Sequence, residues 1–272
     1  DELEELVKKT KELKEYQDTP SSQEDLEKIP MLELSDIKRE PAKDYNDVKS
    51  VDGIKIVHHN IFTNKIAYIN LSFDTKCVPD ELIPYMGLLG STLSLMDTKN
   101  YTYPELTNEI NINCGGLATG TALYSDKVDF SKNTIVYEVK SKALYEKVPF
   151  VLGMMEEIMY NTRFDDYKRL KEIIARIKSR LEASLMGQGH SIAMLECCAQ
   201  FSESAYYSDI LRGYKYYEFI KKLDEEFEQN KTQIVDKLNK LVGYIFNKDN
   251  VIVSLTADDE GYDCFVKALS AK

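Results

Sequence analysis

The segment GQGHSIAMLECC at residues 187–198 holds the residue types of a thiol or metal site, with a histidine followed by a glutamate and two cysteines. A cysteine nucleophile and its histidine base must approach to about 3 Å. If the segment is helical, His190 and Cys197 share a face but lie about 10.5 Å apart along the axis. This spacing disfavours Cys–His catalysis. We interpret Gly189 and His190 as a structural motif at a helix start, where glycines permit a close crossing and His190 or Ser191 satisfies free backbone donors.

Zinc is disfavoured on similar grounds. A helical zinc site needs ligands one turn apart, and the residue four positions after His190 is Met194. His58 and His59 are adjacent on a predicted strand, so they point to opposite faces and cannot share one metal ion in regular geometry. Three carboxylate pairs are expected at helix starts or on polar faces: Asp165-Asp166, Glu156-Glu157 and Asp258-Asp259. An enzyme using His58, His59 or His190 is kept as a third hypothesis.

The N-terminal part of the chain differs in pattern from the rest. Residues 1–17 place apolar side chains at helical spacing among lysines and glutamates, which predicts an amphipathic helix that needs a partner. Three prolines then punctuate a polar stretch, so we predict an extended arm over residues 18–44. We therefore divide the chain into a helical linker arm, residues 1–44, and a domain, residues 45–272.

Short strand patterns begin after Asp52-Gly53. Ile69, Leu71 and Phe73 alternate with polar residues, which is typical of a half-buried antiparallel sheet. Strands are predicted at residues 54–59, 65–73, about 117–125, 133–140 and 251–257.

Helical patterns lie between and after these strands. Residues 78–96 are apolar almost all round, which predicts a buried helix. Thr102 and Glu105 match a capping box that opens a short helix ending at Gly115-Gly116. Three apolar stripes at helical spacing follow, over residues 148–159, 170–185 and 227–245, and a short helix is expected around residues 265–269. Strands in runs and then helices in runs predict an α+β fold, a mostly antiparallel sheet with helices packed on one face.

Composition narrows the class of function. With 46 acidic and 35 basic side chains the net charge is −11, which argues against nucleic-acid and anionic-membrane partners. No apolar run approaches the ~18 residues of a membrane span, and no export signal is visible. The five cysteines are odd in number and contain no CxxC, as expected for a protein of the reducing cytoplasm. Because the chain starts inside a predicted helix, we expect it to be a fragment.

Five stretches resemble the presequence-protease subgroup of the pitrilysin/insulinase (inverzincin) zinc metallopeptidases. They are IPMLELSDIKRE (29–40), GIKIVHHNIFTNKIAYINLSFD (53–74), ELTNEININCGGLATGT (105–121), GHSIAMLECCAQFSESAYYSDILRGYKYYEFIKKL (189–223) and IFNKDNVIVSLTADDE (245–260). Members of that family have four α+β domains in two halves, joined by a helical hairpin, around a peptide-sized chamber. Their N-terminal half holds zinc through an HxxEH helix and a later glutamate. The resemblance implies that this chain is the end of the hairpin plus the third, non-catalytic domain.

The counterpart of the metal helix departs from the family pattern. It falls at residues 79–96, which contain no histidine and whose only carboxylates are Asp80 and Glu81 at the start. The helix that would supply the third ligand, around residues 165–182, keeps Glu172, but a lone carboxylate cannot hold zinc. We therefore expect no catalytic residue, metal or cofactor in this chain, with zinc in the N-terminal half of the parent enzyme.

The strand after Gly115-Gly116 is the counterpart of the family's substrate-pairing strand. The resemblance implies a candidate peptide-contact strand formed by Leu117, Ala118, Thr119, Gly120 and Thr121, with pairing by β-augmentation. The alternative is that this strand is ordinary sheet.

We consider two functions for the chain. The first is a non-catalytic part of a zinc metalloendopeptidase that degrades short unstructured peptides, supplying chamber wall and closure surface. Its partners would be the catalytic N-terminal half and the final domain of the same polypeptide, together with peptide substrates. The second is a stand-alone, catalytically dead paralogue whose helix at residues 1–17 docks a partner.

Overall fold

The computed structural model describes residues 2–40, 46–129 and 131–271, which form two compact units, residues 1–43 and residues 44–272. The first unit has a long helix, α1 (Glu2–Asp18), a short helix, α2 (Gln23–Glu27), and a 3₁₀ turn at Leu34–Asp36. The helix predicted at residues 1–17 is confirmed, and every residue of α1 is exposed. The predicted boundary between residues 44 and 45 lies outside the described residues.

The prediction of an extended arm is wrong over α2. Ser22 is its N-cap, with Oγ accepting a hydrogen bond from the Asp25 backbone N–H at 3.2 Å. Asp25 also accepts from the Ser22 hydroxyl and from Lys28, and these hydrogen bonds hold the pKa of Asp25 below its ordinary value. The capping serine and the acidic residue three positions later are the local signal for this helix.

The second unit contains a six-stranded sheet. Its strands are β1 (Asp47–Val51), β2 (Ile54–Asn60), β3 (Ile66–Asp74), β4 (Leu117–Ser125), β5 (Asn133–Leu144) and β6 (Val251–Ala257). Their spatial order is β1-β2-β6-β3-β5-β4, and every neighbouring pair is antiparallel except β2 with β6. The mostly antiparallel sheet is confirmed, but β1 is an additional strand. It is joined to β2 by a two-residue turn at Asp52 and Gly53, whose φ angles are 51° and 83°.

Further helices within the described residues cover one face of this sheet. They are α3 (Ile83–Thr92), α4 (Tyr103–Asn113), α5 (Val148–Tyr160), α6 (Tyr167–Gly187), α7 (Gly189–Cys198), α8 (Glu203–Arg212), α9 (Tyr214–Glu225), α10 (Phe227–Ile245) and α11 (Asp259–Leu269). Ile69, Leu71 and Phe73 are buried beneath them, whereas Tyr68 on the opposite face is exposed. The period-two pattern of β3 thus separates a core face from an open face, and the α+β fold is confirmed.

Two local predictions around α4 are also confirmed. Thr102 is the N-cap and forms a capping box with Glu105, whose Oε2 accepts from the Thr102 backbone N–H at 2.9 Å. The helix ends at Asn113, just before Gly116, which has a φ of 105° that favours glycine. The strand β4 therefore starts from a fixed turn.

The carboxylate pairs have unequal roles. Asp166 and Asp258 are the N-caps of α6 and α11, as predicted. Glu157, in contrast, is buried, so the prediction of a solvated polar face is wrong for it. Its carboxylate accepts hydrogen bonds from Asn100 N at 3.0 Å, Asn100 Nδ2 at 2.8 Å and Asn161 Nδ2 at 2.7 Å. Glu157 therefore ties the loop before α4 to the end of α5.

Candidate functional site

One cleft brings together three segments that the resemblance implies are the counterparts of the family's metal helix, substrate strand and third-ligand helix. It has a volume of about 570 Å³ and lies where α3, β4 and α6 meet, with the end of α8 and the start of α9 completing the wall. Its lining residues are Gly87, Gly90, Ser91, Ser94, Leu95, Thr119, Gly120, Thr121, Arg176, Ile177, Arg180, Leu181, Leu211, Arg212 and Tyr216. We call this the α3–β4 cleft.

The helix α3 reaches the cleft through backbone contact with β4. A Cβ atom added to Gly90 would lie 3.0 Å from the Gly120 Cα and 3.3 Å from the Thr119 carbonyl oxygen. The Thr119 hydroxyl donates to the Gly90 carbonyl at 2.9 Å, which fixes the two elements in register. Only glycine at position 90 allows this approach, so Gly90 sets the depth at which α3 lies against β4.

The strand β4 is an edge of the sheet. Its strand partner is β5, with Leu117 opposite Ser141 and Ser125 opposite Asn133. The other edge of β4 faces away from β5. Along this edge, no main-chain group of residues 117–125 is hydrogen-bonded to another main-chain group within the described ranges. Alternate main-chain N–H and C=O groups of an edge strand point away from its partner, so they are free to pair with another extended chain.

A buried carboxylate holds β4 from the open face. Glu138 on β5 accepts hydrogen bonds from Tyr124 at 2.9 Å, Asn70 at 2.8 Å and Lys140 at 2.6 Å. Burial raises the pKa of Glu138, but the hydrogen bonds from Lys140, Asn70 and Tyr124 outweigh it and leave the pKa below its ordinary value. The ionised carboxylate thus links β3, β4 and β5, which gives the edge strand a fixed position.

The α3–β4 cleft is cationic although the chain is acidic. Three arginines line it, Arg176 and Arg180 from α6 and Arg212 from α8, and its lining contains no aspartate or glutamate. Arg212 donates to the Ser208 hydroxyl at 3.3 Å, while Arg176 and Arg180 have no ion pair with any residue in the described part of the chain. Arg176 and Arg180 are exposed, and their guanidinium groups are available to an anion.

The wall of the cleft also contains a buried hydroxyl without a partner. Tyr216 is 3% exposed, and its ring lies against Gly87, where a Cβ would come within 2.8 Å of the ring. Its hydroxyl oxygen makes no hydrogen bond with the described residues. Burial raises the pKa of Tyr216, and the charge of Arg180 acts in the opposite direction, so the phenol is a neutral donor at physiological pH.

The residues of the cleft do not fit a zinc ion. Its lining has no histidine, cysteine or carboxylate. In α3, Tyr85, Met86 and Leu89 are buried core side chains, and Glu172 on α6 pairs instead with Arg169 at 3.4 Å. No group of three or more His, Cys, Asp or Glu residues placed to hold a metal is found in the ranges that the structure describes.

The five residues of the candidate peptide-contact strand are divided between two surfaces. Thr119, Gly120 and Thr121 line the α3–β4 cleft. Leu117 and Ala118 line a second cavity, of about 430 Å³, on the open face of the sheet. Gly115 and Gly116 lie at the same cavity, and a Cβ at Gly115 would collide with the Lys142 side chain, 2.7 Å from its Cε. Contact of this strand with a peptide stays a prediction.

The glycine–histidine motif starts a helix but does not form a close crossing. Gly189 and His190 begin α7, as predicted. A Cβ added to Gly189 would have no atom within 4 Å, so the predicted close crossing is wrong. His190 is exposed, and its helical spacing from Cys197 separates the two side chains. Position 189 therefore has room for a side chain, and packing does not require a glycine there.

The other two histidines have separate environments on β2. His58 is buried, its Nε2–H donates to the Ala257 carbonyl at 2.9 Å, and its Nδ1 accepts from Lys49 at 3.1 Å. His59 lies on the other face, with Nε2 3.1 Å from the Ser254 hydroxyl oxygen. The structure therefore does not bring these residues together with His190.

Sequence patterns give no sign of a carboxyl pair that forms between α7 and α8. Asp209 is fully buried, and Lys215 Nζ lies 3.1 Å from its Oδ2 and 3.8 Å from Glu196 Oε1. A hydrogen bond with Asp209 and burial raise the pKa of Glu196, whereas Lys215 lowers it. Gly213 leaves room for this pair, because a Cβ there would collide with the Asp209 side chain. These residues meet only when three helices pack.

Comparisons with known proteins decide the family. A family model described as peptidase-associated, for the peptidases of family M16, subfamily C, matches residues 1–223. The chain belongs to this peptidase-associated family. It is 38% identical to Protein HypA of Clostridium perfringens, over 99% of this chain and 28% of HypA. It is 29% identical to presequence protease 1, chloroplastic/mitochondrial, of Arabidopsis thaliana, over 95% of this chain and 24% of that protein.

The resemblance to presequence proteases is therefore confirmed. The mitochondrial presequence protease of Saccharomyces cerevisiae is 25% identical over 90% of this chain and 25% of its own length. The peptidase-associated chain thus spans about a quarter of the length of these relatives. A conserved protein from Enterococcus faecalis V583 has a crystal structure that matches with a TM-score of 0.60 at 13% identity, covering 83% of this chain and 51% of that one, which shows the fold alone. Within the described ranges, no helix has the length and apolarity required to cross a membrane.

Proposed function

We propose that this chain is a non-catalytic domain of a presequence-protease-like peptidase that degrades short unstructured peptides in a closed chamber. In this proposal it is the third domain, preceded by the end of the helical hairpin, and it supplies chamber wall and closure surface. Its partners are the catalytic N-terminal half and the final domain of a longer polypeptide. The zinc ion and the peptide-bond chemistry belong to that N-terminal half.

The strongest support is the composition of the α3–β4 cleft. Its elements correspond to the metal helix, the substrate strand and the third-ligand helix of the family, but glycines, serines and arginines occupy their facing positions. A hydrolytic zinc site needs at least three nitrogen, oxygen or sulfur ligands and an open coordination position. A cleft lined without such ligands supports the proposal that this domain does not carry out the hydrolysis.

The free edge of β4 gives the domain a means of holding peptide. An extended substrate adds to an exposed strand through main-chain hydrogen bonds, which accept almost any sequence. Such pairing suits substrates without folded structure. We propose that residues 117–121 form this contact.

The experiment measures cleavage, zinc content and peptide binding of the 272-residue chain. We expect no stoichiometric zinc by elemental analysis and no cleavage of a fluorogenic unstructured peptide, with or without added zinc. Zinc-dependent cleavage by the purified chain would refute the assignment.

Peptide pairing with β4 is tested with two N-methylated versions of one labelled peptide. Methyl groups on odd-numbered amides remove one set of main-chain donors, and methyl groups on even-numbered amides remove the other set. Because only alternate amides face the neighbouring strand, one set should abolish binding in fluorescence anisotropy while the other is tolerated. Equal binding of both versions would show that β4 does not pair with the peptide.

The exposed apolar stripe of α1 supports the alternative of a stand-alone, catalytically dead paralogue. Leu3, Leu6, Val7 and Leu13 are all more than half exposed. The mass of the natural polypeptide separates the two functions, because an HxxEH-bearing half in the same chain would exclude a stand-alone paralogue.

A further inference from the structure

The α3–β4 cleft has the charge of a site for an anion. Its lining combines the cations Arg176, Arg180 and Arg212 with no acidic side chain, in a chain whose net charge is −11. Arg176 and Arg180 are four residues apart on α6, so they project from the same face of the helix. The three arginines concentrate positive charge at one cavity, and an anion bound there would offset it.

The buried Tyr216 hydroxyl is a second, independent indication of a ligand. Buried hydroxyls in folded proteins are almost always hydrogen-bonded, and an unpaired one lowers stability. Tyr216 lines the cleft, is nearly completely buried, and has an oxygen without a partner among the described residues. The oxygen is shielded from solvent, so an acceptor would supply the missing hydrogen bond only if it entered deeply enough to reach it.

The free edge of β4 indicates what kind of molecule carries this acceptor. Thr119, Gly120 and Thr121 line the same cleft as the arginines, so a chain paired with β4 would direct alternate side chains toward α6. We propose that the cleft binds a carboxylate of the paired peptide, held by Arg176, Arg180 and Arg212 and by the Tyr216 hydroxyl. This carboxylate belongs either to an aspartate or glutamate side chain or to the C-terminus of the peptide, because all of these present the same chemical group.

This inference rests on the proposed pairing of peptide with β4 and adds a preference for acidic substrates to it. Arginine is suited to the role because its planar fork donates two parallel hydrogen bonds to one carboxylate. The domain would then keep positive charge where the family keeps a metal, and would use it for selecting peptides.

The test compares three labelled peptides that share one sequence by fluorescence anisotropy. One has a central glutamate and an amidated C-terminus, one has glutamine in its place and an amidated C-terminus, and one has glutamine and a free C-terminus. We expect the glutamate or the free-carboxylate peptide to bind roughly tenfold or more tightly than the amidated glutamine peptide, and salt to weaken this preference. Which of the two binds more tightly identifies the source of the carboxylate.

Variants assign the preference to the cleft. Arg176→Gln with Arg180→Gln should lower binding of the acidic peptide to the level of the amidated glutamine peptide. Lys168→Gln is the matched control, because it removes one positive charge from an exposed residue of α6 outside the cleft lining. Tyr216→Phe should weaken acidic-peptide binding severalfold while the thermal midpoint of the free chain stays the same or rises, since the variant removes an unpaired buried hydroxyl.

Each outcome separates the inference from the proposed function. If the glutamate, glutamine and free-carboxylate peptides bind the native chain equally, the carboxylate site is refuted while pairing with β4 stands. A loss with Lys168→Gln as large as with the double variant would also refute the site, because long-range charge would then explain the preference. If none of the peptides binds, both the site and the β4 pairing are refuted.

Discussion

Replacing Gly90 with alanine tests whether α3 and β4 are in backbone contact. A Cβ at this position would lie 3.0 Å from the Gly120 Cα and 3.3 Å from the Thr119 carbonyl oxygen. Both are main-chain atoms of a paired strand, so they cannot rotate away as a flexible side chain would. The helix must move outward by a few tenths of an ångström, or the strand must bend.

The expected loss of stability follows from two opposing effects. Overpacking of a close contact costs about 1–3 kcal/mol. Alanine in a helix is favoured over glycine by about 0.5–1 kcal/mol, which offsets part of that cost. The net loss expected for Gly90→Ala is roughly 0–2.5 kcal/mol, a fall of up to about 10 °C in Tm for a domain of this size.

Gly243→Ala is the matched control for this substitution. Gly243 also lies in a helix, α10, but a Cβ there would have no atom within 4 Å. It should therefore show only the helix-propensity gain, of up to about 1 kcal/mol. Urea unfolding followed by circular dichroism gives the free energy of unfolding of each variant. The dependence of that free energy on urea concentration shows whether the substitution has changed the unfolded state. If Gly90→Ala is stabilised as much as Gly243→Ala, α3 does not touch the β4 backbone and the cleft is wider than described.

Two further predictions concern the carboxylates of Glu157 and Glu196. Glu157→Ala should lower the free energy of unfolding by roughly 1.5–3 kcal/mol, because the hydrogen bonds that Asn100 and Asn161 donate to this buried carboxylate are lost; unfolding in urea measures this loss. Because the hydrogen bond with Asp209 raises the pKa of Glu196, the folded chain keeps a proton that the unfolded chain releases, so stability should fall as pH rises from the ordinary glutamate value through the raised pKa. Glu196→Gln needs no proton to donate that hydrogen bond, so Tm measured from pH 4 to 7 should decline less than in the native chain, and an equal decline would contradict the pairing.

Parts of the fold governed by local patterns could be predicted from the sequence. β3 and β6 were predictable because one face of each is buried and the other is not, which imposes a period of two on residue type. β1 could not be predicted, because Asp47–Val51 is a short edge strand with no buried residue, so burial imposes no alternation on its residue types. The parallel pairing of β2 with β6 joins segments almost two hundred residues apart, such as Val57 with Ser254, and no local pattern encodes it.

The candidate site also has features that local sequence patterns predict and features that they do not. The absence of histidine from residues 79–96 is a property of one segment, so it can be read directly from the sequence. The cationic cleft depends on Arg180, Arg212 and Tyr216, which come from three helices and converge only through tertiary packing. Each residue taken singly is typical of a surface or core position in a helix, and for this reason sequence patterns do not reveal the cluster.

Charge, rather than coordination, is the property that the α3–β4 cleft offers a peptide. A metal ion polarises the group it binds, whereas guanidinium groups attract and orient a carboxylate without activating a peptide bond. If the proposed function holds, a cleft that combines a free strand edge with arginines is suited to holding substrate. The free β4 edge offers main-chain pairing that does not depend on the sequence of the peptide. Arg176, Arg180 and Arg212 make binding depend on the charge of the peptide. Under the proposed function, binding and chemistry are divided between domains of one polypeptide, so loss of the arginines should change which peptides are bound before it changes how fast a bound peptide is cut.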